Sequence, residues 1–325
     1  MNKSILLATI AVLMVAGCTG PGGFTLPFPI TSPTGIAAGS GLVITDFSLD
    51  NADVYSNRSA KVTMVVSNKG GSVVPNGNAL AVLQGSAIKP TLADNLYWSG
   101  RGTTTTVYLG MDKDMNPYDP VKDIPADEKT LSWYLTSPTG ITPGTTRTDY
   151  FMGRLYFDYA TTITGNVWIY TEAESEAAKS ANKALNTNSF TTSAGPVALY
   201  VTIKPSAVVV SDTDRSFTMT IKAINTGGGT VYKQGAVGYS PSSPDLVIDT
   251  ETQLNRLAVD ITAPSGWTGF TDCESTDLEL VKGEASLNCE VTVPVPTTFE
   301  SDQIKIVANY GYWVERTASI IVSGK

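Results

Sequence analysis

The sequence predicts an all-β protein made of two tandem sandwich modules, joined by one short helix and preceded by an amino-terminal anchor and tether. Three observations point there. Threonine and valine are abundant while helical periodicity is nearly absent, which suits pleated, half-buried strands. A strand-and-turn pattern that opens near residue 41 begins again after residue 195; the two Asn-x-Gly turns, at Asn68 and Asn225, lie 157 residues apart. The 285 residues that follow position 40 are enough for two domains.

The amino terminus has the anatomy of an export signal. Lys3 gives a small positive region, and residues 5–15 form an apolar run too short to span a bilayer as a helix. Val15-Ala16-Gly17-Cys18 resembles the lipobox of bacterial and archaeal lipoproteins, with small residues for the peptidase cleft and a thiol to take the lipid. The alternative is an ordinary secreted protein cut near Ala16, with Cys18 incidental. Residues 1–17 are thus expected to be a lipoprotein signal peptide and Cys18 the lipidation site. Residues 18–40, dense in Gly, Pro, Ser and Thr, are expected to be a flexible tether. The expected location is the outer face of the cytoplasmic membrane, with the body at the cell surface.

The first module is placed at 41–171. Leu42, Ile44 and Phe47 mark its first strand. Val62, Met64 and Val66 alternate with Lys61, Thr63 and Val65 in the second, and Asn68-Lys69-Gly70-Gly71 turns the chain. Further strands are expected at 79–84, 105–109, 130–135, 150–158 and 166–170, the last two separated by a turn. Residues 172–185 (EAESEAAKSANKAL) form the one helical stretch, acidic early and basic late as the helix dipole favours. Its stripe of Ala173, Ala177, Ala181 and Ala184 is expected to lie against a sheet. Residues 172–195 are therefore a helix and linker.

The second module is placed at 196–325. "GPVALYVTIKP" supplies its first strand, Phe217, Met219, Ile221 and Ala223 alternate in the second, and Asn225-Thr226-Gly227-Gly228-Gly229 takes the place of the earlier turn. Strands at 278–281 and 285–293 read as a hairpin through Lys282-Gly283, which brings Cys273 close to core-facing Cys289. This half carries a full set of alternating strands and is expected to fold without the first.

"VITDFSLDNADVYSNRSAKVTMVVSNKGGSVVPN" resembles the opening of the CARDB-type immunoglobulin-like modules of archaeal and bacterial surface proteins. The resemblance covers about the first third of each half. It implies two tandem immunoglobulin-like β-sandwich domains with an adhesive or scaffolding role and brings no catalytic motif. The long insert at 86–128 and the helix depart from it, so the first domain is expected to be an elaborated version.

The chain contains no histidine, which excludes Ser-His-Asp and Cys-His machinery and histidine metal sites. Its net charge of −8 disfavours nucleic acid. Once Cys18 is assigned to lipid, Cys273 and Cys289 remain as an expected disulfide outside the cell. In "MDKDMNPYDPVKD", Asp112, Asp114, Asn116, Asp119 and Asp123 are candidate calcium ligands. Against this, Pro117 stands where an EF-hand loop needs Gly, and the alternative is a plain acidic loop. No other cofactor is indicated. Trp133-Tyr134, Trp168-Tyr170 and Tyr310-Tyr312-Trp313 are expected to fill cores, whereas Tyr97 and Trp98, beside Ser99-Gly100-Arg101-Gly102, are candidate exposed ligand-stacking residues. Asn57-Arg58-Ser59 makes Asn57 a candidate glycosylation site. Two functions remain: a non-enzymatic surface lipoprotein for adhesion or cell-envelope scaffolding, and a surface lipoprotein that binds carbohydrate or another ligand. The expected partners are the membrane, through Cys18, and other cell-surface proteins or glycans.

Overall fold

The computed structural model describes residues 41–325 apart from 86–87, 89–96, 101–107 and 240–247. The expected signal peptide (1–17), Cys18, the expected tether (18–40), part of the 86–128 insert and most of the strand expected at 105–109 lie outside the described residues.

The first half contributes β1 (Leu42–Leu49), β2 (Asp53–Tyr55), β3 (Ser59–Asn68), β4 (Ala79–Gln84), β5 (Ser99–Gly100), β6 (Tyr108–Gly110), β7 (Glu128–Thr136) and β8 (Thr146–Thr171). Helix α1 (Glu172–Ser180) and β9 (Ser189–Thr192) follow. The second half contributes β10 (Val197–Lys204), β11 (Val208–Val210), β12 (Ser216–Asn225), β13 (Thr230–Tyr232), β14 (Arg256–Thr262), β15 (Ser275–Glu279), β16 (Glu284–Thr292) and β17 (Phe299–Ser323). The chain is all-β in several sheets. β1-β3-β7-β5 make a four-stranded sheet and β10-β12-β16 a three-stranded one; a ten-stranded sheet runs β15-β14-β17-β8-β4-β6, with β2, β9, β11 and β13 paired off this path.

The axis of the molecule is the β8–β17 ribbon. These strands of 26 and 25 residues pair antiparallel from Phe299↔Tyr170 to Ser323↔Thr146. At ~3.3 Å per residue each is on the order of 80 Å long, several times the usual strand. The turn expected between 158 and 166 does not form. Tyr159 to Gly165 is rich in β-branched residues, Gly165 keeps an ordinary φ, and the ladder stays in register through this stretch against Ile304–Tyr310.

The halves cross over on this ribbon. β2, from the first half, pairs parallel with the end of β17 (Ile321↔Asp53), and β11, from the second, pairs parallel with the end of β8 (Val208↔Ile169). Odd-numbered residues of β8 and even-numbered residues of β17 face one continuous hydrophobic core. Phe151, Leu155, Phe157, Ile163, Val167, Ile304, Ile306 and Ile320 are in it, together with Met64 and Trp133 from one flanking sheet and Met219 and Val291 from the other. Gly153 lets Met64 and Phe47 of the four-stranded sheet lie against β8, because a Cβ there would overlap both side chains. Both faces of β4 are covered: Ala79, Ala81 and Leu83 enter the common core, while Leu80 and Val82 join a second cluster with Tyr156, Tyr232 and Val237 on the ribbon's outer face. Neither half completes its pairing alone, which argues against the autonomy expected of 196–325.

Helix α1 is shorter than the 172–185 expected. Thr171 caps it, its hydroxyl accepting from the Glu174 N–H at 3.2 Å, and Asn182 at φ 51° ends it. The alanine stripe is exposed and Ser175 is the residue the helix buries. Nine residues offer too little apolar surface to seat an alanine face against the sheet.

Candidate functional site

The expected disulfide is present: Cys273 and Cys289 are bonded with Cα atoms 5.4 Å apart. Its setting differs from the expected hairpin. Lys282 and Gly283, both at positive φ, do turn the chain tightly, but β15 then pairs with β14 in the large sheet and β16 with β12 in the three-stranded sheet. The bond ties the turn that leads into β15 to β16 of the three-stranded sheet. Both cysteines are buried, and the Lys282-Gly283 turn closes on the Val281↔Glu284 bridge.

The acidic stretch 112–123 does not converge on a point. Asp112 binds Lys129 Nζ at 2.6 Å, and that ammonium, chiefly by direct hydrogen bonding, holds its carboxyl below the ordinary value. Asp114 accepts from the Asn76 N–H, and Asp119 accepts from the Val121 and Lys122 N–H groups. Asp123, at φ 52°, accepts the Tyr118 hydroxyl. Asn116 is turned to Asp127, a residue that the spacing did not single out. Asp127 takes both the backbone and the amide N–H of Asn116 and also Lys113, contacts that lower its carboxyl pKa in that order. Among the described residues no three His, Cys, Asp or Glu side chains gather as a metal site. These carboxylates brace a loop, because each is matched to a different N–H, hydroxyl or ammonium.

Trp98 is not a surface residue. It is 1 % exposed, its indole N–H donates to Asp149 at 2.7 Å, and its ring meets Phe151 edge-on at 5.2 Å. That Asp149–Trp98 bond draws the residues beside β5 into the core, so Trp98 cannot stack on a ligand; Tyr97 is half-buried beside it. Of the other aromatics, Trp133, Tyr310 and Tyr312 are core, as expected, while Tyr134 is exposed. Trp168 and Tyr170 do share a face, but it is the outer one; Val167 and Ile169 point to the core between them. Asn57 is exposed on a tight turn at φ 57°, with Ser59 opening β3.

Three arrangements had no clear sequence signal. First, a ribbon tyrosine clasps each repeated turn. The Tyr159 hydroxyl accepts from Ser72 N–H at 3.0 Å and donates to Ala194 O, while the Tyr312 hydroxyl accepts from Gly229 N–H at 2.7 Å and donates to Asn225 Oδ1. The turn residues Ser72 and Gly229 stand 157 apart, as Asn68 and Asn225 do, so the clasp is part of the repeat.

Second, the outer face carries a polar knot. Tyr239 donates to Asp158 Oδ1 at 2.6 Å, and its oxygen lies 2.7 Å from the Tyr232 hydroxyl. Burial raises all three pKa values; for Asp158 this outweighs the hydrogen bonds from Tyr239 and Gly235 that favour the charged form. Beside the knot, Arg154 lies over the Tyr156 and Trp313 rings and pairs with Glu315 at 2.8 Å.

Third, at the far end of that face, Trp168, Tyr170 and Phe299 bring their ring centroids within 6.0–6.5 Å of one another, with planes inclined by 19–33°. The cross-strand register Phe299↔Tyr170 sets this group. The unbroken β8, paired with β17 along its length, brings these rings onto one face.

No protein-family model matches the chain, and no curated protein matches it either.

Proposed function

We propose that the chain is a non-enzymatic cell-surface lipoprotein, held to the membrane through lipid on Cys18, whose body serves adhesion or cell-envelope scaffolding. The observation that carries this reading is the exchange of β2 and β11 across a full-length β8–β17 ribbon. Two modules linked this way separate only if the ladder along the ribbon breaks, a property suited to a body that bears load or displays a surface. The repeated turns and strands support tandem immunoglobulin-like modules of the CARDB type as the building plan. The sequence adds the lipobox-like Val15-Ala16-Gly17-Cys18 and the absence of histidine. The disulfide fits an oxidising location. Exposed Asn57 is a place where a glycan would be carried without touching the core.

Fractionation tests the reading. Wild-type protein should stay with membranes through a high-salt wash and be shaved from intact cells by added protease, and Cys18→Ser should be released to the medium. A Cys18→Ser protein that remains membrane-bound, or wild type that protease on intact cells does not reach, overturns it.

A further inference from the structure

We propose that the end of the ribbon's outer face around Trp168 and Phe299 is a binding ledge for a neutral oligosaccharide. The proposal rests on the adhesion reading and supplies the surface through which adhesion acts.

The ledge is built and solvent-facing. Phe299 is 50 % exposed, Trp168 is half-buried, and Tyr170, on the same face, is buried. Their rings share one orientation to within 33°. The support is fixed in place: the Tyr170 hydroxyl accepts from Asn186 N–H at 2.9 Å, and Asn188 Oδ1 accepts from Trp168 N–H at 2.9 Å. The Tyr170 ring is held by its hydroxyl and the Trp168 bond is to its backbone, so the strand under the group loses little freedom when a ligand arrives.

What continues from the rings selects the ligand class. On the same face the register runs Phe299, Ser301, Gln303 and Lys305 on β17, opposite Tyr170, Trp168, Asn166 and Thr164 on β8. Ser301, Gln303, Lys305 and Asn166 are exposed. None of these eight positions is a carboxylate, and one is a cation. From Phe299 to Lys305 the strip is about 20 Å long at ~3.3 Å per residue. A strip of that length, with flat rings at one end followed by hydroxyls and amides, suits a chain of sugars. The C–H face of a pyranose stacks on the electron-rich face of a ring, and its hydroxyls exchange hydrogen bonds with Ser, Asn and Gln side chains. An apolar protein partner would need the central positions to be apolar too, and a nucleic acid or acidic glycan would need more than Lys305.

The test is affinity electrophoresis of the detergent-solubilised full chain through gels holding hydroxyethylcellulose, soluble starch or yeast mannan. Retardation by at least one polymer is expected. Phe299→Ala and Trp168→Ala should each weaken it about tenfold or more, whereas Trp168→Phe retains a flat ring and most of the affinity. Tyr134→Ala, removing an exposed aromatic on another sheet, should change nothing. Phe299, half in solvent, is the position whose truncation leaves folding intact if Trp168→Ala does not. No retardation by any of the three polymers, or retardation that Phe299→Ala leaves unchanged, overturns the ledge. Membrane fractionation of Cys18→Ser reads location and not affinity, so the two failures are distinguishable.

Discussion

Removing the disulfide by changing both Cys273 and Cys289 to Ala has an effect whose size depends on how the two halves are joined. The bond closes a loop with a sequence separation of 16. In the chain-entropy treatment, freeing a loop of that length costs about 3 kcal/mol. Converting this to a melting shift requires the unfolding entropy of whatever unfolds together, about 2.1 cal/mol/K per residue. If the 285 residues after position 40 melt as one unit, the shift is about 5 °C. If residues 196–325 melt by themselves, 130 residues carry the loss and the shift is about 11 °C in their transition alone. The continuous core and the exchanged strands predict the first outcome. Differential scanning calorimetry of wild type and the double variant distinguishes them. A single endotherm displaced downward by about 5 °C is expected; two endotherms, one of them unmoved, would refute the shared-core reasoning.

Two other perturbations probe the ribbon. Tyr312→Phe removes the hydroxyl that accepts from Gly229 N–H and donates to Asn225 Oδ1, and should lower stability by about 1–3 kcal/mol in denaturant unfolding, with Tyr159→Phe behaving alike at the first turn. A change in only one of the two would break the equivalence of the clasps. Asp158 has its carboxyl pKa raised by burial, so the folded state holds that proton more tightly than the unfolded chain. Its contribution is full below the ordinary carboxylate range and is lost as pH rises through the folded-state value. Asp158→Asn should therefore flatten the fall in melting temperature from about pH 4 upward, and parallel curves for the two proteins would exclude this group as the cause.

Much of the architecture is legible in the sequence because strand alternation and turn chemistry are local. β3 carries its buried Val62, Met64 and Val66 as the spacing requires, β4 occupies 79–84, and each Asn-x-Gly stretch ends its strand at a bend that the Asn side chain spans, Asn68 Nδ2 donating to Ser72 O and Asn225 Nδ2 to Gly229 O; the positive φ that the turn glycines would allow is not used. What failed required knowledge of a distant partner. Between Tyr159 and Gly165 the side chains suit either a turn flank or an unbroken strand, and only the matching length of β17 decides for the strand. The Lys282-Gly283 turn was legible, but its two strands go to different sheets, a choice made by β12 and β14. Trp98 sits near glycines in sequence yet is drawn inward by Asp149, 51 residues away. The acidic loop shows the same limit. The spacing places five oxygen-bearing residues close together along the chain, and the fold then commits them to Lys129, Asn76, Asp127, the Tyr118 hydroxyl and their own backbone. The Trp168–Phe299 group needs two strands 131 residues apart to be read as one surface.

The two halves form one interleaved body, and residues 196–325 expressed alone put that to the test. That fragment keeps β10 to β17 but lacks β8, against which β11 and the length of β17 pair. Ile304, Ile306 and Ala308, buried in the whole protein, would lose the neighbouring strand's side chains from their face. The expected result is a fragment that aggregates or melts without a cooperative transition while the full chain melts sharply. A soluble fragment with a sharp, reversible melt and a native-like near-ultraviolet circular dichroism spectrum would contradict it.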